Sequence, residues 1–96
     1  MQIEEPSDNS FTIYSKTNCR YCTVVKSLLN EHKIPYNEIN CDTYLSQDKQ
    51  YFLNFIKEKA NREFKTFPMV FCDGNFVGGF IETERLITDL DEEVDF

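Results

Sequence analysis

The chain has 96 residues, with nine Phe, five Tyr and no Trp, enough bulky apolar material for the core of one small domain. A net charge of −7 excludes nucleic acid as the main partner, because phosphate-backbone binding needs clustered Lys and Arg. No apolar run approaches the roughly 18–20 residues of a membrane helix, so a membrane-bound role is not expected.

Met1-Gln2-Ile3-Glu4-Glu5-Pro6 is acidic and lacks the basic and apolar regions of a signal peptide. The expected setting is the reducing cytoplasm, where closely spaced cysteines serve catalysis or metal binding more often than structure. Residues 1–10 read as a flexible acidic tail. Phe11-Thr12-Ile13-Tyr14-Ser15 is a short apolar run of the kind a buried strand shows. Lys16-Thr17-Asn18 leads out of it, and a helix is predicted over about residues 20–32. Val24, Val25, Leu28 and Leu29 recur on one face of that helix, with Asn18 as its cap and His32 as a surface residue near its end.

Residues 34–40 alternate apolar and polar, with Pro35 near the start, and predict a second strand. Asp42-Thr43 opens a second helix in which Leu45, Phe52, Phe55, Ile56 and Ala60 fall at core spacing. Lys57, Lys59 and Arg62 suit its C-terminal end. Residues 68–72 form a third strand, Asp73-Gly74 a tight hairpin turn and Asn75-Phe76-Val77 a short fourth strand. Gly78-Gly79 breaks the chain before a last helix over about residues 81–90, with Leu86, Ile87 and Leu90 inward. Residues 91–96 read as an acidic C-terminal tail, which leaves 11–90 as the domain. The order β-α-β-α-β-β-α predicts an α/β fold, a small mixed four-stranded sheet with helices on both faces.

Cys19-Arg20-Tyr21-Cys22 sits at the junction of the first strand and first helix. Two cysteines at this spacing can close a small disulfide ring. The first also lies where free N–H groups and the partial positive charge of a helix start favour a thiolate. The thiolate is the reactive form, so Cys19 is the candidate nucleophile and Cys22 the candidate resolving thiol. Lys16, Arg20 and Lys26 add positive charge around the pair. Cys41 and Cys72 end strands and read as small core fillers. No metal site is expected, because structural zinc wants four close ligands and the chain has one CxxC pair.

The CxxC after strand one, Thr66-Phe67-Pro68 before strand three and Gly78-Gly79 before the last helix together resemble glutaredoxins, with a thioredoxin-like fold. The resemblance covers about residues 11–90. It implies a dithiol, glutathione-dependent oxidoreductase that reduces protein–glutathione mixed disulfides and protein disulfides. It implies a cis Pro68 that exposes the backbone of Phe67 beside the sulfurs. Glutathione would then lie along Phe67, its γ-glutamyl carboxylate at Gly78, Gly79, Phe80 and Ile81, and its ammonium at Glu82. Lys16 would meet the thiolate or the glycyl carboxylate, Lys65 would be a second carboxylate partner, and Tyr21 would pack on the tripeptide.

Two positions depart from the family pattern. Ile81 replaces a small polar residue and can contribute only its backbone. Arg20 stands where a Pro is usual, which restores a backbone N–H and adds a cation beside Cys19. Some family members without that Pro bind a [2Fe–2S] cluster between two subunits, so a cluster-binding dimer is one alternative. A thioredoxin-like protein disulfide reductase is the other, and the missing Trp before the CxxC counts against it. The main reading implies a monomer whose partners are glutathione and disulfide-bearing proteins, such as ribonucleotide reductase.

Overall fold

The computed structural model describes residues 1–94. Seven elements follow in the expected order: β1 (Phe11–Ser15), α1 (Arg20–Glu31), β2 (Tyr36–Asn40), α2 (Asp42–Ala60), β3 (Met69–Cys72), β4 (Asn75–Gly78) and α3 (Phe80–Val94). The strands form one sheet in the order β2-β1-β3-β4. β1 pairs parallel with β2 and antiparallel with β3, and β3 pairs antiparallel with β4. The result is the mixed sheet of a thioredoxin-like fold. No helix among the described residues is long and apolar enough to cross a membrane.

β1 is central, and all five of its residues are buried. Its side chains alternate between two cores, as a strand's two faces require. Phe11 and Ile13 join Val25 and Leu29 of α1, Val70 of β3 and Ile87 of α3. Tyr14, on the other face, joins Ile39 and Cys41, Phe52 and Ile56 of α2, and Met69 and Phe71 of β3. A strand covered on both faces is buried at every position, here including Thr12 and Ser15. The hairpin turn between β3 and β4 has positive φ at both Asp73 (52°) and Gly74 (83°), as a type I′ turn demands.

Four features differ from the sequence reading. Helix α2 is interrupted at Asp48, whose φ of −160° and ψ of 85° are not helical. The Asp48 carboxylate accepts the Tyr51 N–H at 3.0 Å, so the side chain caps a second helical segment. Residues 1–10 form no helix or strand, yet they are tied down rather than loose. The buried Tyr14 hydroxyl donates to Glu4 O at 2.6 Å, Glu4 N–H donates to Tyr44 Oη at 3.2 Å, and Ser7 N–H donates to Thr12 Oγ1 at 2.9 Å. Lys59 pairs with Glu5 at 2.7 Å, and Ile3 packs against the α2-side core. A buried hydroxyl needs an acceptor, and the tail supplies one for Tyr14.

Helix α3 runs through Val94, so the stretch expected as a tail begins as helix; residues 95–96 lie outside the described residues. Leu90, expected inward, is 43% exposed, whereas Ile87 is buried.

Candidate active site

The nucleophile's position is built by β1 and α1. The chain leaves the buried β1 and turns at Asn18, whose φ is +60°. Thr17 fixes this loop: its N–H donates to Asp42 Oδ1 at 2.9 Å and its hydroxyl donates to Asp42 Oδ2. Those two donors hold the Asp42 carboxyl below the usual carboxylate range.

Cys19, not Asn18, is the N-cap of α1. It has extended backbone (φ −112°, ψ 106°), and its Sγ accepts the Cys22 N–H at 3.2 Å. Asn18 cannot cap because its left-handed backbone lies one residue too early. A cap sulfur receives a backbone donor and the positive end of the helix together, and no acidic residue sits in the first turn of α1. The Cys19 and Cys22 Cα atoms are 5.3 Å apart, within the span a disulfide requires, and their sulfurs are bonded. Cys22 is only 2% exposed, whereas Cys19 is partly open to solvent. A substrate sulfur therefore has access to Cys19 first.

Beside the helix start lies a groove of about 470 Å³. Tyr21, Thr66, Phe67, Pro68 and residues 79–82 line it. The Phe67–Pro68 peptide is cis, as the resemblance implied. Tyr21 stacks on Phe80, ring centroids 5.2 Å apart, which joins the start of α1 to the start of α3. Gly78 is buried at the end of β4 and does not line the groove; it sets the geometry behind it.

A second pocket, about 310 Å³, continues beyond Thr66 and Phe67, which border both. It gathers Lys16 and Lys65 with Lys49 of α2. Lys16 Nζ stands 5.6 Å from the Phe67 ring centroid. Lysines in one pocket make a site for a carboxylate, with Phe67 between it and the α3 end. Of the sequence-predicted contact residues, Tyr21, Pro68 and residues 79–82 border the first pocket, Lys16 and Lys65 the second, and Thr66 and Phe67 both, whereas Gly78 borders neither.

Four lining residues, Leu45, Lys49, Leu53 and Phe64, escaped the sequence reading of the site. Lys49 follows the Asp48 break, and no periodicity announced that break. Phe64 forms part of the main groove's wall and packs edge-on to Phe76 at 5.0 Å, with the Arg62 guanidinium 5.4 Å from its ring. An aromatic just before the Thr66-Phe67-Pro68 segment was the available signal for it.

The remaining cysteines stand apart from this chemistry. Cys41 is fully buried as the N-cap residue of α2, and burial, then the Asp42 charge, pushes its thiol up to about 12. Cys72 is half-buried, and burial, then Asp73, raises its thiol too. A thiol held protonated is a poor nucleophile.

These observations agree with three comparisons. The glutaredoxin family model matches residues 11–77. The human protein "Glutaredoxin-2, mitochondrial" is 37% identical over 86 residues, covering 88% of this chain and 50% of that protein. Among solved structures, glutaredoxin 1 from Francisella tularensis, complexed with cacodylate, superposes with a TM-score of 0.74 at 25% identity, covering 85% of this chain and 95% of that one. The buckwheat glutaredoxin–glutathione complex superposes with a TM-score of 0.69 at 27% identity, covering 84% of this chain and 70% of that one. The chain belongs to the glutaredoxin family. It spans about half the length of the mitochondrial glutaredoxin-2 relatives it matches.

Proposed function

We propose that the protein is a glutathione-dependent thiol–disulfide oxidoreductase working through Cys19 and Cys22. The observation that carries the reading is the Cys19 sulfur at the α1 N-cap, partly exposed beside a groove bordered by Phe67. In the reduced protein the Cys19 thiolate attacks the glutathione sulfur of a mixed disulfide. The Cys19–glutathione disulfide forms, the substrate's sulfur bond breaks, and the substrate leaves as a thiol after taking up a proton. A second glutathione, as thiolate, then attacks the glutathione sulfur on Cys19. Oxidised glutathione departs, and the Cys19 thiolate is regenerated. With a protein disulfide, Cys19 forms a mixed disulfide with the client, and the Cys22 thiolate attacks Cys19 to release the client as a dithiol.

Glutathione would lie along Phe67, with its glycyl carboxylate toward Lys16, Lys49 and Lys65 and its γ-glutamyl end toward Gly79–Glu82. The bound glutathione of the buckwheat relative supports this choice of co-substrate. Such a cycle requires a compartment that holds glutathione reduced, the cytoplasm in this proposal. The assay is turnover of a small glutathione mixed disulfide with glutathione and its reductase. Cys19→Ser should abolish turnover, while Cys22→Ser, which removes only the resolving thiol, should keep much of it. Turnover surviving Cys19→Ser would overturn the assignment.

A further inference from the structure

Phe67 borders both pockets, and its ring ends a stack of three. It lies nearly parallel to the Phe52 ring, at 6.0 Å between centroids and 8° between planes, and Phe52 lies over Tyr44 at 5.7 Å and 15°. Phe52 is fully buried, whereas Phe67 and Tyr44 are half-buried, so the outer rings depend on what holds their far sides. For Tyr44 the holder is the N-terminal segment. The Tyr44 hydroxyl oxygen accepts the Glu4 N–H at 3.2 Å, and the Glu4 carbonyl accepts the Tyr14 hydroxyl at 2.6 Å. The Tyr14 ring also meets Phe52, at a centroid distance of 6.2 Å. Glu4 therefore fastens two tyrosines that both pack on the ring supporting Phe67. The neighbouring anchor, the Glu5–Lys59 ion pair, joins neither the stack nor the lining of either pocket.

We propose that Tyr44 is a positioning residue for the groove: the N-terminal segment clamps it through Glu4, and the Tyr44–Phe52 stack holds the Phe67 ring in the orientation that both pockets share. The proposal rests on the glutathione reading above. A ligand lying along Phe67 binds only while that ring is placed, so its apparent affinity falls with the fraction of time the ring spends elsewhere. Tyr44 lines neither pocket and belongs to α2, whereas the Cys19 sulfur is held by α1. Loosening Tyr44 therefore weakens binding and leaves the nucleophile unchanged. The N-terminal segment, remote from the sulfurs in sequence and fold, thereby becomes part of the recognition apparatus.

The test is binding of S-methylglutathione, which cannot react, to the oxidised full-length protein, with NMR signals of the Phe67 ring followed in parallel. Tyr44→Leu, which removes a ring from the stack, should weaken binding by about two- to tenfold, the population shift that one aromatic pair sustains. Tyr44→Phe, which keeps the ring and gives up only the Glu4 bond, should weaken it by about twofold. Glu5→Gln breaks the adjacent ion pair but not the stack, and should leave affinity at the parent's value. In all three, the alkylation rate of reduced Cys19 against pH should match the parent. Parent-like affinity in Tyr44→Leu, or an equal loss in Glu5→Gln, would overturn the positioning role. A parent that does not bind S-methylglutathione would overturn the glutathione reading instead. The positioning role is then decided by the Phe67 ring signals, which feel the ring current of Phe52: they should shift in Tyr44→Leu and not in Glu5→Gln, and unmoved signals in Tyr44→Leu would overturn it.

Discussion

Gly78→Ala and Gly79→Ala, one residue apart, should behave very differently. Gly78 has a φ of +133°, a conformation in which a Cβ costs about 1–2 kcal/mol. The added carbon would also stand 2.8 Å from Glu82 Cγ and 2.9 Å from Glu82 Cβ, closer than real Cβ atoms approach. The Glu82 side chain must swing away, forfeiting its bond to Gly79 N–H, worth about 0.5–1 kcal/mol at this exposed site. The total is about 1.5–3 kcal/mol, or roughly 6–24 °C in melting temperature for a domain of this size. At Gly79 the nearest atoms to a new Cβ are Phe64 Cζ at 3.4 Å and Glu82 Oε1 and Pro68 O at 3.6 Å, so Gly79→Ala should cost no more than about 1 kcal/mol. Urea unfolding followed by circular dichroism measures both. In a Glu82→Ala background the Cγ and Oε1 contacts and the Gly79 N–H bond are gone while the Cβ contact remains, so the Gly78 substitution should cost less by a coupling of about 0.5–1 kcal/mol. A Gly78→Ala cost below about 0.5 kcal/mol, or zero coupling to Glu82, would refute the reasoning.

Two further predictions concern thiols and acid. Iodoacetamide at neutral pH should label Cys19 of the reduced native protein and leave Cys41 unmodified until denaturant is added, because Cys41 is fully buried and its thiol is pushed up to about 12; mass spectrometry of labelled peptides checks it. Glu38 is held below the usual carboxylate range, first by the Lys26 ammonium at 2.8 Å and then by the Ser15 hydroxyl, against some desolvation. A carboxyl depressed in the folded state stabilises above its unfolded value of ~4.3, and that contribution disappears as pH falls through the folded value. Glu38→Gln should therefore lower stability by a few tenths of a kcal/mol near pH 7, the pair being partly exposed, and the difference from the parent should vanish in acid. Urea midpoints measured against pH give the result, and a difference that grows on acidification would contradict the sign.

What the sequence disclosed follows from how local each signal is. β1 announced itself because Phe11, Ile13 and Tyr14 crowd into five residues that carry no charge, as a strand buried on both faces requires. The Asp73-Gly74 turn and the CxxC are encoded within two to four residues, and both stood where expected. The Asp48 break was missed because Phe52 and Ile56 keep core spacing on their own side of it. The tethered N-terminal segment was missed for a different reason. Its anchors, Tyr14, Tyr44 and Lys59, lie up to 54 residues away, and no local pattern carries a contact of that separation. Cys19 as its own cap was hidden by the stronger capping preference of Asn18.

The same long-range logic explains why chemistry and recognition stay in register. Val25 and Leu29 of α1 and Ile87 of α3 are buried in one cluster against Phe11, Ile13 and Val70. Above that cluster Tyr21 and Phe80 stack, each near the first residue of its helix. The shared core therefore sets two positive helix ends side by side, one under the Cys19 sulfur and one under the Gly79 N–H. In the proposed function, that arrangement serves both a sulfur that turns anionic and a ligand carboxylate. The lysines gather instead past Phe67, where Lys16, Lys49 and Lys65 meet. Removing one lysine should weaken binding without disturbing the nucleophile, whereas repacking Leu29 or Ile87 would displace both helix ends together.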